Sequence, residues 1–391
     1  MSETAVRARA AKQATAVAFI GSGFAFANWA ARIPQVRDRL DLSSAQLGLV
    51  LLAIAAGSVV ALPLAGPAVT RFGSRRTVQA MAVLFGIALA VAALGHLAGV
   101  WPLVVGLFLF GLANGAWDVG MNVQGARVEQ ELGRSIMSRF HAGWSCGTVA
   151  GALVGALMVA LSVPVAVHLT VVAVLVGLAV PVAVRRFLPD GAAHEEPTSG
   201  GGALTAWREP RTLLVGLFVL AFAFAEGAAN DWINVALIDG YDASATVGAV
   251  GFAVFLAAMT TARWFGPPLL DRHGRVPVLR VCAVVAGAGL LLYVFAPNIP
   301  LALVGALLWG LGTSLGFPTG MSAAADDPRR SAARVSVVAS IGYCAFLGGP
   351  PLIGFLAEHW GILDSLLVVA VLLAIAVVIT PALRPLRVEE D

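Results

Sequence analysis

The sequence predicts an all-helical polytopic membrane protein: twelve membrane-spanning helices in two repeated six-helix halves. Three observations predict it. Of the 391 residues, 59% are hydrophobic and 12% charged, against about 25% charged in a soluble domain. Basic residues gather in alternate loops, and the chain aligns with itself on a shift of about 200 residues. The composition excludes a water-soluble globule and a disordered chain. Cys146, Cys282 and Cys344 all lie in apolar runs and form no disulfide framework. A net charge of +3 is too small for a nucleic-acid binder. Every basic residue except Lys12 is Arg, which with the Ala, Val, Gly and Leu richness suggests a GC-rich bacterial genome.

A span takes about 20 residues. Twelve segments are long enough: 14–34, 45–69, 76–96, 102–125, 136–161, 164–187, 211–236, 246–269, 277–296, 300–322, 335–357 and 363–383, called spans 1 to 12. Span 1 follows Arg7, Arg9 and Lys12, and its Ala25-Phe26-Ala27 imitates a signal-peptide cleavage site. The apolar run continues to Pro34 and has a twin later in the chain, so it is read as a retained span. Arg32, Arg37 and Arg39 follow it. Span 2 ends at Arg71, Arg75 and Arg76. Spans 3 and 4 lead to Arg127, Arg134 and Arg139. Span 5 carries Gly143, Gly147, Gly151 and Gly155, a small-residue ridge that admits a close helix and is read as a sliding surface for rocking halves. Span 6 ends at Arg185 and Arg186. Residues 188–209 are polar and Gly-rich, a flexible cytoplasmic connector.

The second half repeats the punctuation. Spans 7 and 8 are bounded by Arg208 and Arg211, then Arg272, Arg275 and Arg280. Spans 9 and 10 lead to Arg329, Arg330 and Arg334. Span 11 contains Gly348-Gly349-Pro350-Pro351, an expected kink, and span 12 ends before Arg384 and Arg387. With the N-terminus in the cytoplasm, 21 basic residues fall inside, 3 outside, and Arg263 lies within span 8. That excess places both termini in the cytoplasm.

The repeat is explicit. Phe24-Ala25-Phe26-Ala27-Asn28 matches Phe222-Ala223-Phe224-Ala225-Glu226, and Gly48 and Gly66-Pro67 match Gly248 and Gly266-Pro267. Gly106 and Gly111 match Gly305 and Gly310, and Gly120-Met121 matches Gly320-Met321. Residues 1–187 and 210–391 are thus expected to be two six-helix bundles joined by 188–209. The loop after span 2 reads Gly66, Thr70-Arg71-Phe72-Gly73 and Arg75-Arg76. Its twin after span 8 reads Asp271-Arg272-His273-Gly274-Arg275. Gly permits the tight turn, and Arg pairs with carboxylates or helix C-termini.

On these motifs the whole chain resembles the major facilitator superfamily, whose loop reads approximately G-x-x-x-D-R-x-G-R-R; Thr70 departs from its acidic position. The segments Trp29-Ala30-Ala31-Arg32-Ile33-Pro34, Asp118-Val119-Gly120-Met121-Asn122, Glu226-Gly227-Ala228 with Asp231-Trp232, and Gly348-Gly349-Pro350-Pro351 resemble the bacterial subgroup that includes the rhizopine-associated membrane protein MosC. The resemblance implies a transporter of parallel six-helix halves, with spans 1, 4, 7 and 10 around a central cavity, and a small polar solute. It also implies a latch made by Arg71, Arg75, Asp271, Arg272 and Arg275.

Ionisable groups at depth are costly and mark function. Glu226 lies fifteen residues past Arg211, about 22 Å along the helix. Asn230 and Asn234 follow on its face. Asn114, Asp118 and Asn122 repeat the pattern on span 4. Asn28 is the twin of Glu226. Desolvation adapts buried carboxyls to proton exchange near neutrality, so Glu226 and Asp118 are the expected proton carriers. Asn28, Trp29, Asn114, Asn122, Asn230, Asn234 and Trp309 are expected substrate contacts. Arg32 and Asp231 end spans 1 and 7 and are expected to form an outer gate. Arg263 is expected to snorkel toward the loop or to pair with Asp118. His141 is a further titratable group near Asp118. Neither a metal nor a cofactor is expected. The implied partners are solute, protons and lipid, and the expected unit is a monomer.

Three other readings exist. Proton-antiport efflux of drugs or metabolites is the main alternative; the Gly ridge of span 5 lacks the Pro of the efflux signature. A solute sensor would need an output domain. Gly143-Trp144-Ser145-Cys146-Gly147 spells G-x-S-x-G, and with His141 or His168 it would suggest an intramembrane serine protease. That motif, however, belongs to a regular helical Gly ridge, not a strand–turn–helix. No motif for ATP or dinucleotide binding is present.

Overall fold

The computed structural model describes residues 3–132, 136–189, 205–327 and 330–385. The expected linker therefore lies mostly outside the described residues (190–204), as do Arg134, Arg329 and Arg387. Among the described residues every regular element is helical. Eleven helices of the described residues are long and apolar enough to cross a membrane, and a bent pair counted as one span makes twelve. In the hydrocarbon core only helices or closed barrels satisfy their own backbone.

The chain forms two compact units, Met1–His194 and Glu195–Asp391. In the first unit, span 1 is Glu3–Ala30, followed across a 40° bend by the short helix Ile33–Arg39. Pro34 opens that second helix rather than closing the span. Span 2 is Ser44–Phe72, span 3 Ser74–Gly95, span 4 Val100–Leu132, span 5 Met137–Ala160 and span 6 Val165–Ala183. A reciprocal capping box fixes the start of span 2: Ser43 Oγ accepts from Gln46 N–H while Gln46 Oε1 accepts from Ser43 N–H.

In the second unit, span 7 is Pro210–Tyr241, span 8 Ala245–Phe265, span 9 Arg275–Phe295 and span 11 Ser331–Trp360. Span 10 is broken into Ile299–Thr313 and Gly316–Ala324. Span 12 runs as Ile362–Leu383 in short consecutive pieces. Span 8 gives way at Gly266 to the short helix Pro267–His273, whereas its counterpart span 2 carries Pro63 and Pro67 without a break. The expected kink in span 11 lies inside one unbroken helix that contains Pro350 and Pro351.

The repeat recurs in the packing of each unit. In the first, span 4 packs on spans 2 and 3, span 1 on 5 and 6, and span 3 on 6. In the second, span 10 packs on 8 and 9, span 7 on 11 and 12, and span 9 on 12. The twinned glycines explain how. A Cβ on Gly111 would press into the Ile54 carbonyl of span 2, and one on Gly310 into the Phe255 carbonyl of span 8. Gly106 and Gly305 serve the contacts with spans 3 and 9 in the same way. The loop glycines are also twins: Gly73 has φ 84° and Gly274 φ 79°, where a side chain is strained.

The span 5 ridge packs on span 1 of its own unit. Gly147 and Gly151 lie against the carbonyls of Ile20 and Phe24, and Gly155 against Ala31. The close approach that these glycines admit is thus to a helix of the same bundle. Large apolar side chains left outward, such as Leu64, Leu178 and Val378, match hydrocarbon as solvent.

Gly151→Ala is expected to destabilise by about 1–3 kcal/mol through overpacking. Gly348→Ala, whose Cβ would meet nothing within 4 Å, is expected to leave stability unchanged or slightly raised. Thermal unfolding of the two variants in the same detergent checks the contrast.

Candidate functional site

Each unit gathers its own polar side chains. In the first, Asn28 is fully buried on span 1 and Arg32 lies at the bend. Arg32 Nε donates to His168 Nδ1 at 2.9 Å, and His168 Nε2 meets Asn28 Oδ1 at 2.8 Å. Asn28 Nδ2 donates to Phe24 O at 2.8 Å, and Arg32 Nη2 to Val163 O at 2.7 Å. Spans 1 and 6 are thus joined through one imidazole, and Arg32 itself ties the turn before span 6.

Span 4 presents Asn114, Asp118 and Asn122 half-buried along one face. Ser22 Oγ donates to Asn114 Oδ1 at 3.0 Å. Asn122 Nδ2 donates to the Asp118 backbone carbonyl at 2.8 Å and to its carboxylate at 3.2 Å. Among the described residues Asp118 makes no ion pair. Trp29 and Trp117 are buried, with no partner for either indole N–H among the described residues. His141 stacks edge-on against Phe19.

The second unit is organised around a charge pair. Arg263 Nη2 meets Glu226 Oε2 at 2.7 Å, with 23% and 14% of the two side chains exposed. Arg263 Nε donates to Ser314 O at 3.1 Å, inside the break of span 10. Arg263 therefore joins spans 7, 8 and 10 of its own unit instead of snorkelling toward the loop. A broken helix leaves carbonyls without intrahelical partners, and a guanidinium suits them. Asn230 and Asn234 are buried one and two turns beyond Glu226. Asp231 is half-buried and makes no ion pair among the described residues. Trp309 is enclosed by Phe255 and Tyr293 at ring separations of 5.6 and 6.0 Å. It packs within its unit rather than presenting a stacking face.

At the arginine-rich ends, span 3 is tied to span 4 by Ser74 Oγ donating to Gln124 Oε1 at 3.2 Å. The second unit makes the corresponding tie ionic. Arg275 meets Asp326 at 2.6 Å, and Arg211 meets the same carboxylate at 2.9 Å. The partner of Arg275 is thus Asp326, not Asp271. Asp271 and Arg272 are exposed. Arg75 is exposed, and Arg71 lies over the Phe72 ring at 5.5 Å. Glu209, the residue before span 7, accepts from Arg334 at 2.6 Å, Thr212 at 2.8 Å and Arg330 at 3.2 Å. The Arg334 hydrogen bond, aided by Thr212 and Arg330, holds the Glu209 carboxyl below the usual carboxylate range.

The serine-protease reading loses His168 as its base, because Arg32 and Asn28 use both ring nitrogens of that residue. Sequence reasoning missed the partners of Glu226, Arg32 and Arg275. These pairs are 37 to 136 positions apart, where helical spacing carries no signal.

A family model of the Major Facilitator Superfamily matches residues 14–267 and again 227–391. The chain belongs to the Major Facilitator Superfamily. It is 33% identical over 371 residues to "Uncharacterized transporter y4wD" of Sinorhizobium fredii, covering 94% of this chain and 97% of that protein. It is 30% identical over 370 residues to "Membrane protein MosC" of Rhizobium meliloti, covering 94% and 88%. Among solved structures, a mutant of the nucleoside transporter NupG is similar at TM-score 0.75 and 15% identity, covering 95% and 98%. A variant of the E. coli fucose:proton symporter FucP is similar at TM-score 0.64 and 16% identity, covering 94% and 97%. The protein is therefore a multi-pass membrane transporter of this superfamily and not an enzyme, and its fold is that of the superfamily.

Two outcomes follow for the transporter. Arg263→Gln leaves Glu226 without its cation and is expected to destabilise by about 3 kcal/mol, the low end for breaking a buried pair. The Arg263→Gln/Glu226→Gln double variant is expected to recover most of it, as read by thermal unfolding. The Glu209 clamp is pH-dependent. With its folded pKa lowered, its stabilisation is complete above the unfolded glutamate value of about 4.3 and lost as pH falls through the folded one. The melting-temperature gap between wild type and Glu209→Gln should be constant between about pH 6 and 8 and close in acid.

Proposed function

We propose that the protein is a proton-coupled secondary carrier. It moves a small polar solute, sugar- or cyclitol-like, across a bacterial inner membrane by alternating access, as a monomer with both termini in the cytoplasm. The observation that supports this most is the Glu226–Arg263 pair resting on the break of span 10. A proton taken by Glu226 cancels its attraction for Arg263 and frees the guanidinium to move with the broken helix. Proton binding is thereby converted into a packing change in one unit. Asp118, with Asn122 as its neighbour and no cation paired to it among the described residues, is the second proton carrier.

Asn114, Asn122, Asn230 and Asn234 are the polar groups proposed to meet the solute. Asn28 and Trp29 join them once the bend of span 1 moves. Arg32 and Asp231 keep the gating role suggested by their places at the ends of spans 1 and 7. Arg71, Arg75, Asp271, Arg272 and Arg275 keep the role of latch residues. The connector 188–209 joins bundles 1–187 and 210–391.

The first test is a ligand screen by thermal stability on purified protein. It covers sugars, cyclitols, amino sugars, amino acids and lipophilic cations at two pH values, since a ligand of the folded state raises stability by mass action. Polar ring compounds are expected to stabilise; hits confined to lipophilic cations would replace uptake with efflux. With a hit in hand, Glu226→Gln and Asp118→Asn are expected to abolish proton-driven accumulation in proteoliposomes while solute exchange persists. Accumulation with unchanged pH dependence in both variants would reject the coupling role.

A further inference from the structure

We infer that His168 is a positioning residue of the transport cycle: its neutral ring, protonated on Nε2, orients Arg32 and Asn28 at once. The inference rests on the proposed reading of Arg32 as a gate residue. The geometry dictates the tautomer. A guanidinium has donors only, so the 2.9 Å contact from Arg32 Nε requires a lone pair on His168 Nδ1. The one proton of the neutral ring is then on Nε2, where it is donated to Asn28 Oδ1 at 2.8 Å. Asn28 is oriented to match, since its amide nitrogen donates to Phe24 O.

Each link of this chain has one direction, and among the described residues the imidazole is the group that touches both ends. Arg32 is 2% exposed and His168 4% exposed, so water cannot replace either partner. Among the described residues no carboxylate pairs with Arg32; its acceptors are His168 and the Val163 carbonyl. His168 therefore supplies orientation, not neutralisation. It holds an uncompensated cation at the bend between Glu3–Ala30 and Ile33–Arg39, where a small change in direction is magnified along the following helix. The repeat has no equivalent, since the position 198 residues on is Leu366.

Two substitutions separate the arms. His168→Gln keeps an amide donor for Asn28 and loses the acceptor for Arg32. His168→Asn keeps an acceptor near Nδ1 and loses the donor. The test uses proteoliposomes of a transporter with its three native cysteines replaced and Gln35→Cys introduced one turn beyond Arg32. The readout is the labelling rate with a membrane-impermeant maleimide. Arg32→Gln and His168→Gln are each expected to change that rate about tenfold or more, the scale of one hydrogen bond to a charged group. His168→Asn is expected to stay near the parent.

If Arg32→Gln changes the rate and His168→Gln does not, the positioning role is overturned and the gate stands. If neither changes it, the gate reading falls and takes the positioning role with it. The nitrogen NMR spectrum of histidine-labelled wild type, assigned by loss of one signal in His168→Asn, tests the tautomer without relying on transport. A ring protonated on Nδ1 would overturn the inference directly.

Discussion

Hydrocarbon offers no hydrogen bonds, and the backbone and the Asn28, Glu226 and Arg263 side chains are arranged under that constraint. The backbone meets it by being helical. Side chains meet it by finding partners on neighbouring spans. Glu226 has Arg263, Arg263 has the Ser314 carbonyl as well, and Asn28 has His168. Those partners can be reached only because the helices approach closely. Gly147 and Gly151 let span 5 lie on span 1, and Gly111 and Gly310 do the same for spans 4 and 10. The glycine contacts and the polar network are two parts of one design, since bulk at the first would draw apart the groups of the second.

The two halves share a scaffold and differ in charge. Asn28 and Glu226 occupy twin positions, yet one meets a neutral imidazole and the other a guanidinium. At the arginine-rich ends Ser74–Gln124 and Arg275–Asp326 make the same tie, neutral in one unit and ionic in the other. Span 8 breaks at Gly266 where span 2 runs on through Pro67. The ion pairs at these twin positions and the helix breaks thus lie in the second unit, while the first holds Arg32 in place with neutral acceptors.

Much of the fold was legible in the sequence because its signals are local or periodic. Apolar length marks each span, and glycine spacing marks each close contact. Gly73 and Gly274 announced turns that indeed need positive φ. The break in span 10 was less legible, since Gly312 and Gly316 look like further small residues of a helix. The candidate site was legible as a list of residues but not as a set of pairs. Glu226, Asp118, Arg32 and the asparagines stand out as polar residues in apolar runs. Their partners are fixed by how spans cross. Arg263 looked like a snorkelling side chain because its place near the end of span 8 allows that, and only the position of span 7 makes Glu226 the nearer acceptor. Trp309 looked like a stacking surface because sequence does not show which face of a helix a neighbour covers.

The placement of the Asn28–His168–Arg32 chain also bears on biosynthesis. Its members and the Val163 carbonyl all precede residue 187. The ribosome therefore delivers every participant before span 7 is made, and domains tend to fold as units from the N-terminus. The first bundle can bury Arg32 while the second is still being translated. The Glu226–Arg263–Ser314 chain has a longer wait: Glu226 is synthesised well before the span 10 carbonyl it shares a partner with. In that interval Arg263 and Glu226 have each other alone, so the pair would form first and the broken helix would dock onto it.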